Sequence, residues 1–282
     1  MTTLDQSLRG GIETLTNATV GAPRLTAETL LMFVMNCDRA HLFAHPERLL
    51  TADESSRWEA ALAQRVRGVP TQYITGHQEF WGLDLLVSPA VLIPRPETEH
   101  VVETVLDLAR GLAAPRIVDV GTGSGCIALA LAKELPNAEI HAVDISSAAL
   151  EIAHANSARH GFAERVRFQE SDVLEVFSLD GGGFDFVVSN PPYVSELDRK
   201  SLQSEVRDFE PHTALFAGTT GLAVIERLIP QAQHALKSGG WFVMEIGMGQ
   251  GTALHTMLSN WNDLTFTNDL RGIPRVVQAQ RP

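Results

Sequence analysis

The sequence predicts an α/β protein: a doubly wound, mostly parallel sheet of seven strands, preceded by a small helical bundle and a β-hairpin linker. Three observations lead there. Apolar residues recur at helical spacing up to about Ile74, strand-like apolar runs alternate with helical stretches from Pro96 onward, and a glycine-rich turn joins the first of those strands to its helix. At ~150 residues per domain, 282 residues make about two domains. The expected boundaries are a helical domain over 1–78, a hairpin linker over 79–95 and a sheet domain over 96–282.

Leu4, Leu8, Ile12 and Leu15 share one helix face, so the chain opens helical. A Gly-Ala-Pro break at Gly21 to Pro23 ends that helix. A second apolar stripe runs through Leu30, Phe33 and Val34, and Trp58, Leu62 and Val66 mark a third helix within Thr51 to Arg67. Between Phe80 and Ile93 the residues become strand formers interrupted by Ser88-Pro89, which predicts two short strands. Thereafter come a helix Glu97 to Arg110, strand Arg116 to Val120, helix Cys126 to Leu135, strand Glu139 to Val143 and helix Ser147 to His160. Strands near Val166 to Gln169 and Phe184 to Ser189 follow, then helix Leu222 to Leu236, strand Trp241 to Ile246 and helix Gln250 to Asn260. Two strands near Leu264 to Asn268 and Arg275 to Ala279 close the chain. In such a sheet ligands sit at the carboxyl ends of the strands, here after Val120, Val143 and Ser189.

Composition narrows the function. A net charge of −12, with seven Arg, no Lys and ten acids up to Ala90, disfavours gripping nucleic acid through its phosphates. The longest apolar run, Cys126 to Ala132, is seven residues, far below the ~20 that span a bilayer, and the start lacks a signal-peptide core. A cytoplasmic protein, with no membrane partner, is expected. Cys37 and Cys126 lack a zinc or redox spacing and read as reduced, buried thiols. His41 and His45 share a helix face without a third ligand, so no metal is expected. The charged run from Glu196 to Glu210 reads as a solvated helix and loop, the alternative being a mobile rim that meets a protein partner.

Residues 117–132, IVDVGTGSGCIALALA, carry glycines at alternate positions, Gly121, Gly123 and Gly125, with Thr122 and Ser124 between them. Glycines permit positive φ and close approach of a ligand, and the helix that follows offers unpaired N–H groups. Asp144, 23 residues after Gly121 at the tip of the next strand, suits two ribose hydroxyls. The dinucleotide fingerprint needs glycine where Cys126 stands, which weakens NAD. The Asp119-x-Gly121-x-Gly123-x-Gly125 pattern instead resembles the S-adenosylmethionine loop of class I methyltransferases.

A second apolar strand runs into Asn190-Pro191-Pro192-Tyr193. Two prolines remove two N–H donors, so the loop presents carbonyl groups beside the Asn190 amide oxygen. Such an acceptor surface suits a planar NH₂ group, with Tyr193 walling off its face.

These motifs, with EFWGLDLLVSPAVLIPRPETE (79–99), FEPHTAL (209–215) and DLRGIPR (269–275), resemble the HemK/PrmC family of peptide chain release factor glutamine N5-methyltransferases. The resemblance covers nearly the whole chain and implies a Rossmann-like class I methyltransferase. It implies S-adenosylmethionine on Gly121, Thr122, Gly123, Ser124 and Gly125, its ribose on Asp144, its adenine beside Ser171, Asp172 and Val173, and Asn190 shared between cofactor and substrate. Val173 stands where some members carry an aromatic. Substrate glutamine falls to Asn190, Pro191, Pro192 and Tyr193, with Arg95, Pro96, Glu97 and Thr98 closing the pocket. The partner implied is a release factor methylated in its GGQ motif, recognised by the helical domain. A monomer is expected.

An amide nitrogen is a poor nucleophile, so the enzyme must align it: acceptors from the Asn190 side chain and the Pro191 carbonyl hold both N–H bonds while charge builds on nitrogen. A DNA adenine N6-methyltransferase would suit the same acceptors. It needs base flipping and a target-recognition domain, for which the 89 residues after Tyr193 leave no room. A non-catalytic module that docks on a release factor or the ribosome is the third reading.

Overall fold

The computed structural model describes residues 2–177 and 183–282, so Met1, the first residue of the expected helical domain, lies outside the described residues. The chain divides into two units. One contains the residues up to His77 together with Gln203–Phe209, the other Gln78–Leu202 together with Glu210–Pro282.

In the first unit, α1 (Leu4–Asn17) starts at a reciprocal Thr3–Gln6 capping box and α4 (Ala52–Val66) at a Thr51–Glu54 one, each satisfying two otherwise unpaired backbone donors. Between them run α2 (Pro23–Met35), opened by its proline, and α3 (Arg39–Ala44), capped by Asp38; α5 (Thr71–Thr75) follows. Leu4, Leu8, Leu15, Leu30, Leu31 and Trp58 form the core. The apolar periodicity thus predicts the three long helices. Helices α3 and α5, of six and five residues, are too short to display a period.

The hairpin is present but lies earlier than expected. β1 (His77–Phe80) pairs with β2 (Leu83–Leu86), and the turn is Trp81-Gly82, both at positive φ (54° and 66°), rather than Ser88-Pro89. Two positive-φ residues match strand twist in a two-residue turn, a position that a tryptophan does not advertise. Val91 and Ile93 are buried without forming a strand.

The second unit continues with a 3₁₀ turn (Pro96–Thr98), α6 (Glu99–Leu108), β3 (Arg116–Val120), α7 (Cys126–Glu134), β4 (Glu139–Asp144), α8 (Ser147–Arg159), β5 (Val166–Glu170) and β6 (Phe184–Ser189). A 3₁₀ stretch (Glu196–Ser201) follows, the chain then contributes α9 (Ser204–Phe209) to the first unit, and the second unit resumes with α10 (His212–Leu215), α11 (Ala223–Ala235), β7 (Leu236–Glu245), α12 (Gly251–Met257), β8 (Asn262–Asn268) and β9 (Pro274–Gln280). The sheet has seven strands in the order β5-β4-β3-β6-β7-β9-β8, parallel except for β9 against β7 and β8. Alternate β3 residues join different cores: Ile117 packs with α6 and α7, Val118 with α11 and α12. The sheet is therefore covered on both faces, as near-continuous apolar strands require. The strand order reverses between β3 and β6, the place where such folds open a crevice. In register, Val120 lies opposite both Val143 and Ser189, so three strand ends finish at one level.

The charged run after Tyr193 is only partly solvated. Glu205, in α9, takes a 2.5 Å hydrogen bond from buried Arg65 within the helical unit. Glu210, 3% exposed, accepts from the Ile93 N–H at 3.2 Å and from Arg95 at 2.5 Å. The two cysteines are free and half-buried rather than buried.

Candidate active site

At the end of β3 the chain turns through Gly121, Gly123 and Gly125, all at positive φ. A Cβ at Gly121 or Gly123 would meet open space, so there the backbone conformation, rather than crowding by neighbours, demands glycine. The N–H groups of Gly121 and Thr122 both donate to the Val143 carbonyl, tying the turn to β4. Asp119 secures it from below: wholly buried, its Oδ2 accepts from Thr122 Oγ1 at 2.7 Å and from the Ala128 N–H at 3.3 Å. Its Oδ1 has no partner among the described residues, and burial pushes the carboxyl up to about 7.

Asp144, at the tip of β4, accepts from the Gly123 N–H and from the Ser146 N–H, both at 2.9 Å. Burial raises its pKa, opposed by these backbone hydrogen bonds. A carboxylate offers about four lone-pair sites, more than these backbone donors use, so acceptor capacity remains for a ligand.

These groups border a cavity of about 320 Å³, within the range of small-molecule sites. Its wall includes Gly121, Thr122, Gly123, Ser124, Asp144, Ser171, Asp172 and Val173, and on another side Thr98, Asn190, Pro191 and Pro192. The structure thus gathers most of the predicted site around one space. Gly125, Arg95, Pro96, Glu97 and Tyr193 are not part of the wall. Gly125 instead begins α7, where a Cβ would meet Leu129 at 3.3 Å. Arg95 pairs with Glu210, and Pro96 and Glu97 form the 3₁₀ turn that carries Thr98. Asp172 forms a 2.5 Å ion pair with Arg227, another wall residue.

Tyr193 is not among the residues that line the cavity. Its hydroxyl donates to Glu245 at 3.1 Å, burial raises its pKa, and its ring lies so close to Gly247 that a Cβ there would come within 2.9 Å of Cδ2. Gln250 braces the same loop, donating to the carbonyls of Tyr193 (3.3 Å) and Gly221 (3.0 Å). Asn190 donates through Nδ2 to Thr98 Oγ1 at 3.0 Å, and Thr98 in turn donates to Glu245 at 2.5 Å. Neither Asn190 Oδ1 nor the Pro191 carbonyl accepts a hydrogen bond among the described residues. Two acceptors beside the cavity are therefore available to an NH₂ group.

Glu245, Gln250 and Arg227 escape the sequence reading. An acid ending an apolar strand, a glutamine opening a helix and an arginine on an amphipathic helix are each common, and only the fold brings them here.

Two family models match the chain, one described as PrmC N-terminal domain over residues 6–76 and one as Methyltransferase small domain over residues 98–206. A release factor glutamine methyltransferase of Koribacter versatilis is 53% identical over 280 residues, 99% of each chain. The chain belongs to the release factor glutamine methyltransferase family. The relative from Xylella fastidiosa is 45% identical over 88% of each chain, and that from Nitratidesulfovibrio vulgaris 39% identical over 99% of this chain and 95% of its own. Among solved structures, the hMettl16 catalytic domain in complex with the MAT2A 3′UTR hairpin 6 matches with a TM-score of 0.58 at 18% identity, covering 81% of this chain and 82% of that one. A methyltransferase from Pyrococcus furiosus matches with a TM-score of 0.51 at 15% identity, covering 82% and 99%. At such identities these two share the class I methyltransferase fold, nothing finer. Methyltransferases of this family use S-adenosylmethionine, and the cavity fits it: glycines leave open space and Asp144 keeps free lone pairs. No helix among the described residues is long and apolar enough to cross a membrane.

Proposed function

We propose that this chain methylates the side-chain amide nitrogen of the glutamine in the GGQ motif of peptide chain release factors. The observation that carries the reading is the pair of unengaged acceptors, Asn190 Oδ1 and the Pro191 carbonyl, on the same cavity as the glycine turn and Asp144. The names of the relatives, at up to 53% identity over the full chain, support the same substrate.

S-adenosylmethionine supplies an electrophilic methyl on a sulfonium. Gly121 to Ser124 would hold its amino-acid part, Asp144 its ribose hydroxyls, and Asp172 and Val173 would border its base. Asn190 and Pro191 accept the two N–H bonds of the glutamine amide and so orient the nitrogen. As the nitrogen becomes cationic both hydrogen bonds strengthen, which lowers the barrier without prior deprotonation. The proton leaves afterwards to water. Tyr193, turned toward Glu245, shapes the loop instead of covering the amide.

The helical unit would recognise the folded release factor, and the protein would act as a monomer. The test is incubation of the protein with tritiated S-adenosylmethionine and a purified release factor, the same factor with GGQ changed to GGA, or duplex DNA. Label on the first alone is expected. Equal label on the GGA variant, or label on DNA only, overturns the reading.

A further inference from the structure

Asn190 has two chemically opposite ends, and only one serves the reaction proposed above. Its oxygen must face the substrate amide; its NH₂ there would set donor against donor. Nothing in the shape of an asparagine makes that choice, because the two ends are nearly the same size.

The neighbours make it by hydrogen-bond polarity. Glu245, at the end of β7 and 2% exposed, accepts at both oxygens, from Thr98 at Oε2 (2.5 Å) and from Tyr193 at Oε1 (3.1 Å); burial raises its pKa, and these two hydrogen bonds oppose that shift by favouring the carboxylate. A hydroxyl has one proton. With that proton given to Glu245, Thr98 Oγ1 can only accept, and the Asn190 group it meets at 3.0 Å must be the donor end, Nδ2. Oδ1 is then left for the cavity. Turning the amide over would bring Oδ1 against an oxygen with no proton to offer, at the cost of one hydrogen bond and a lone-pair clash in a buried setting.

We propose that Glu245 and Thr98 form a polarity relay that fixes the Asn190 amide with its oxygen toward the substrate, which makes Glu245 a positioning residue for methyl transfer. Glu245 touches no reacting atom. It acts by claiming the Thr98 proton, and through Tyr193 it holds the far end of the same loop. This rests on the glutamine reading, since only a substrate with N–H bonds requires the oxygen end.

The relay predicts a sign that simple structural support does not. Replacing Glu245 by leucine frees the Thr98 proton to bind Asn190 Oδ1, which favours the wrong end, so kcat should fall at least tenfold, toward the ~10²–10³ of losing one preorganised contact entirely. Glu245→Gln keeps an acceptor for Thr98 and should lose less. Asn190→Asp reverses the requirement: a carboxylate has no donor end, clashes with Thr98 while the relay is intact, and gains the freed proton when it is broken. In the Asn190→Asp background, Glu245→Leu should therefore leave kcat unchanged or raise it.

The experiment is this double-mutant cycle, read as kcat and KM for release factor, with folding checked by thermal melting. Equal falls in both backgrounds, or wild-type kcat in Glu245→Leu, overturn the relay. Should Glu245→Leu fail to fold, Thr98→Val and Thr98→Ser decide: serine is expected near wild type and valine several-fold lower, and equal rates for the two overturn the proposal. If the wild-type protein does not methylate the release factor at all, the glutamine reading has failed on its own account. The relay is then judged by the Asn190 side-chain amide protons in NMR, identified by their loss in Asn190→Asp. They should exchange with water more slowly in wild type and Thr98→Ser than in Thr98→Val, and equal exchange overturns it.

Discussion

The backbone N–H of Gly123 donates to Asp144 Oδ2 at 2.9 Å, so the carboxylate expected to hold the cofactor ribose also props the glycine turn. The two halves of the cofactor site, 21 residues apart, are one hydrogen-bonded unit.

Asp144→Ala should therefore weaken S-adenosylmethionine in two ways, through the lost ribose acceptor and through a loosened turn. Loss of a hydrogen bond to a charged group costs roughly 1.5–3 kcal/mol, so calorimetric titration should show affinity lower by at least about tenfold. Asp144→Asn, which keeps an acceptor for Gly123, should fall between wild type and alanine. Wild-type affinity in the alanine variant would remove Asp144 from the site.

Gly221 predicts a long-range effect on the proline loop. Its φ is +73°, and a Cβ there would lie 2.4 Å from the Tyr193 carbonyl oxygen and 3.2 Å from the Ser195 nitrogen. Gly221→Ala must push the backbone on the C-terminal side of Pro192 aside. Overpacking of this kind costs ~1–3 kcal/mol in stability, and turnover should fall further than cofactor affinity, because Asn190 moves while the glycine turn does not. Equal losses in both, measured by single-turnover transfer and calorimetry, would count against a separate proline-loop effect.

How legible the site is depends on how singular each residue's job is. Gly121, Gly123 and Asn190-Pro191-Pro192 announce themselves because positive φ and missing N–H donors leave few alternatives in the sequence. Thr98 and Glu245 do not. A threonine at a helix start and an acid ending an apolar strand have ordinary explanations, and their partnership joins positions 147 apart in the chain. Tyr193 misleads for a related reason: its place beside the motif suggests a cavity wall, whereas the Glu245 carboxylate and the space at Gly247 turn it inward. The central strands β3, β4 and β6 are readable because both faces of the sheet are covered there and their runs are largely apolar, whereas the edge strands β5 and β8 are mostly polar and show only as short runs between turns. The hairpin turn shifts because Trp81 holds a positive φ that its residue type disfavours.

Asp119 predicts a pH dependence of stability. Burial, opposed by the Thr122 and Ala128 hydrogen bonds, places its pKa at about 7 against an ordinary 3.8. A folded-state pKa above the unfolded one means that the folded protein binds the extra proton, so stability falls as pH rises from about 4 to about 7 and is level above that. At ~1.36 kcal/mol per pKa unit the effect is on the order of 4 kcal/mol. Asp119→Asn keeps an oxygen for Thr122 and Ala128 and removes the charge. Without cofactor it should be the more stable protein at about pH 8, with the advantage shrinking toward about pH 5. An advantage that does not change with pH in denaturant titrations would show that Asp119 is not the titrating group.

Asn190→Ala tests the chemistry most directly, because it removes one acceptor while leaving both prolines, the Pro191 carbonyl and the glycine turn in place. Cofactor affinity should hardly change. Methyl transfer to the release factor should fall ~10²–10³, roughly 2.7–4 kcal/mol, the usual cost of losing a preorganised polar contact to developing charge. The fall should appear in kcat more than in KM, since the hydrogen bond to Oδ1 is worth most when the nitrogen carries positive charge, and the docking of a whole protein does not depend on it. Alanine also leaves Thr98 without its donor, but Thr98 keeps its bond to Glu245, so the thermal stability of the variant should stay close to wild type. Near-normal turnover in Asn190→Ala, or a loss confined to KM, would mean that the Pro191 carbonyl alone aligns the amide and that the asparagine serves only to shape the loop.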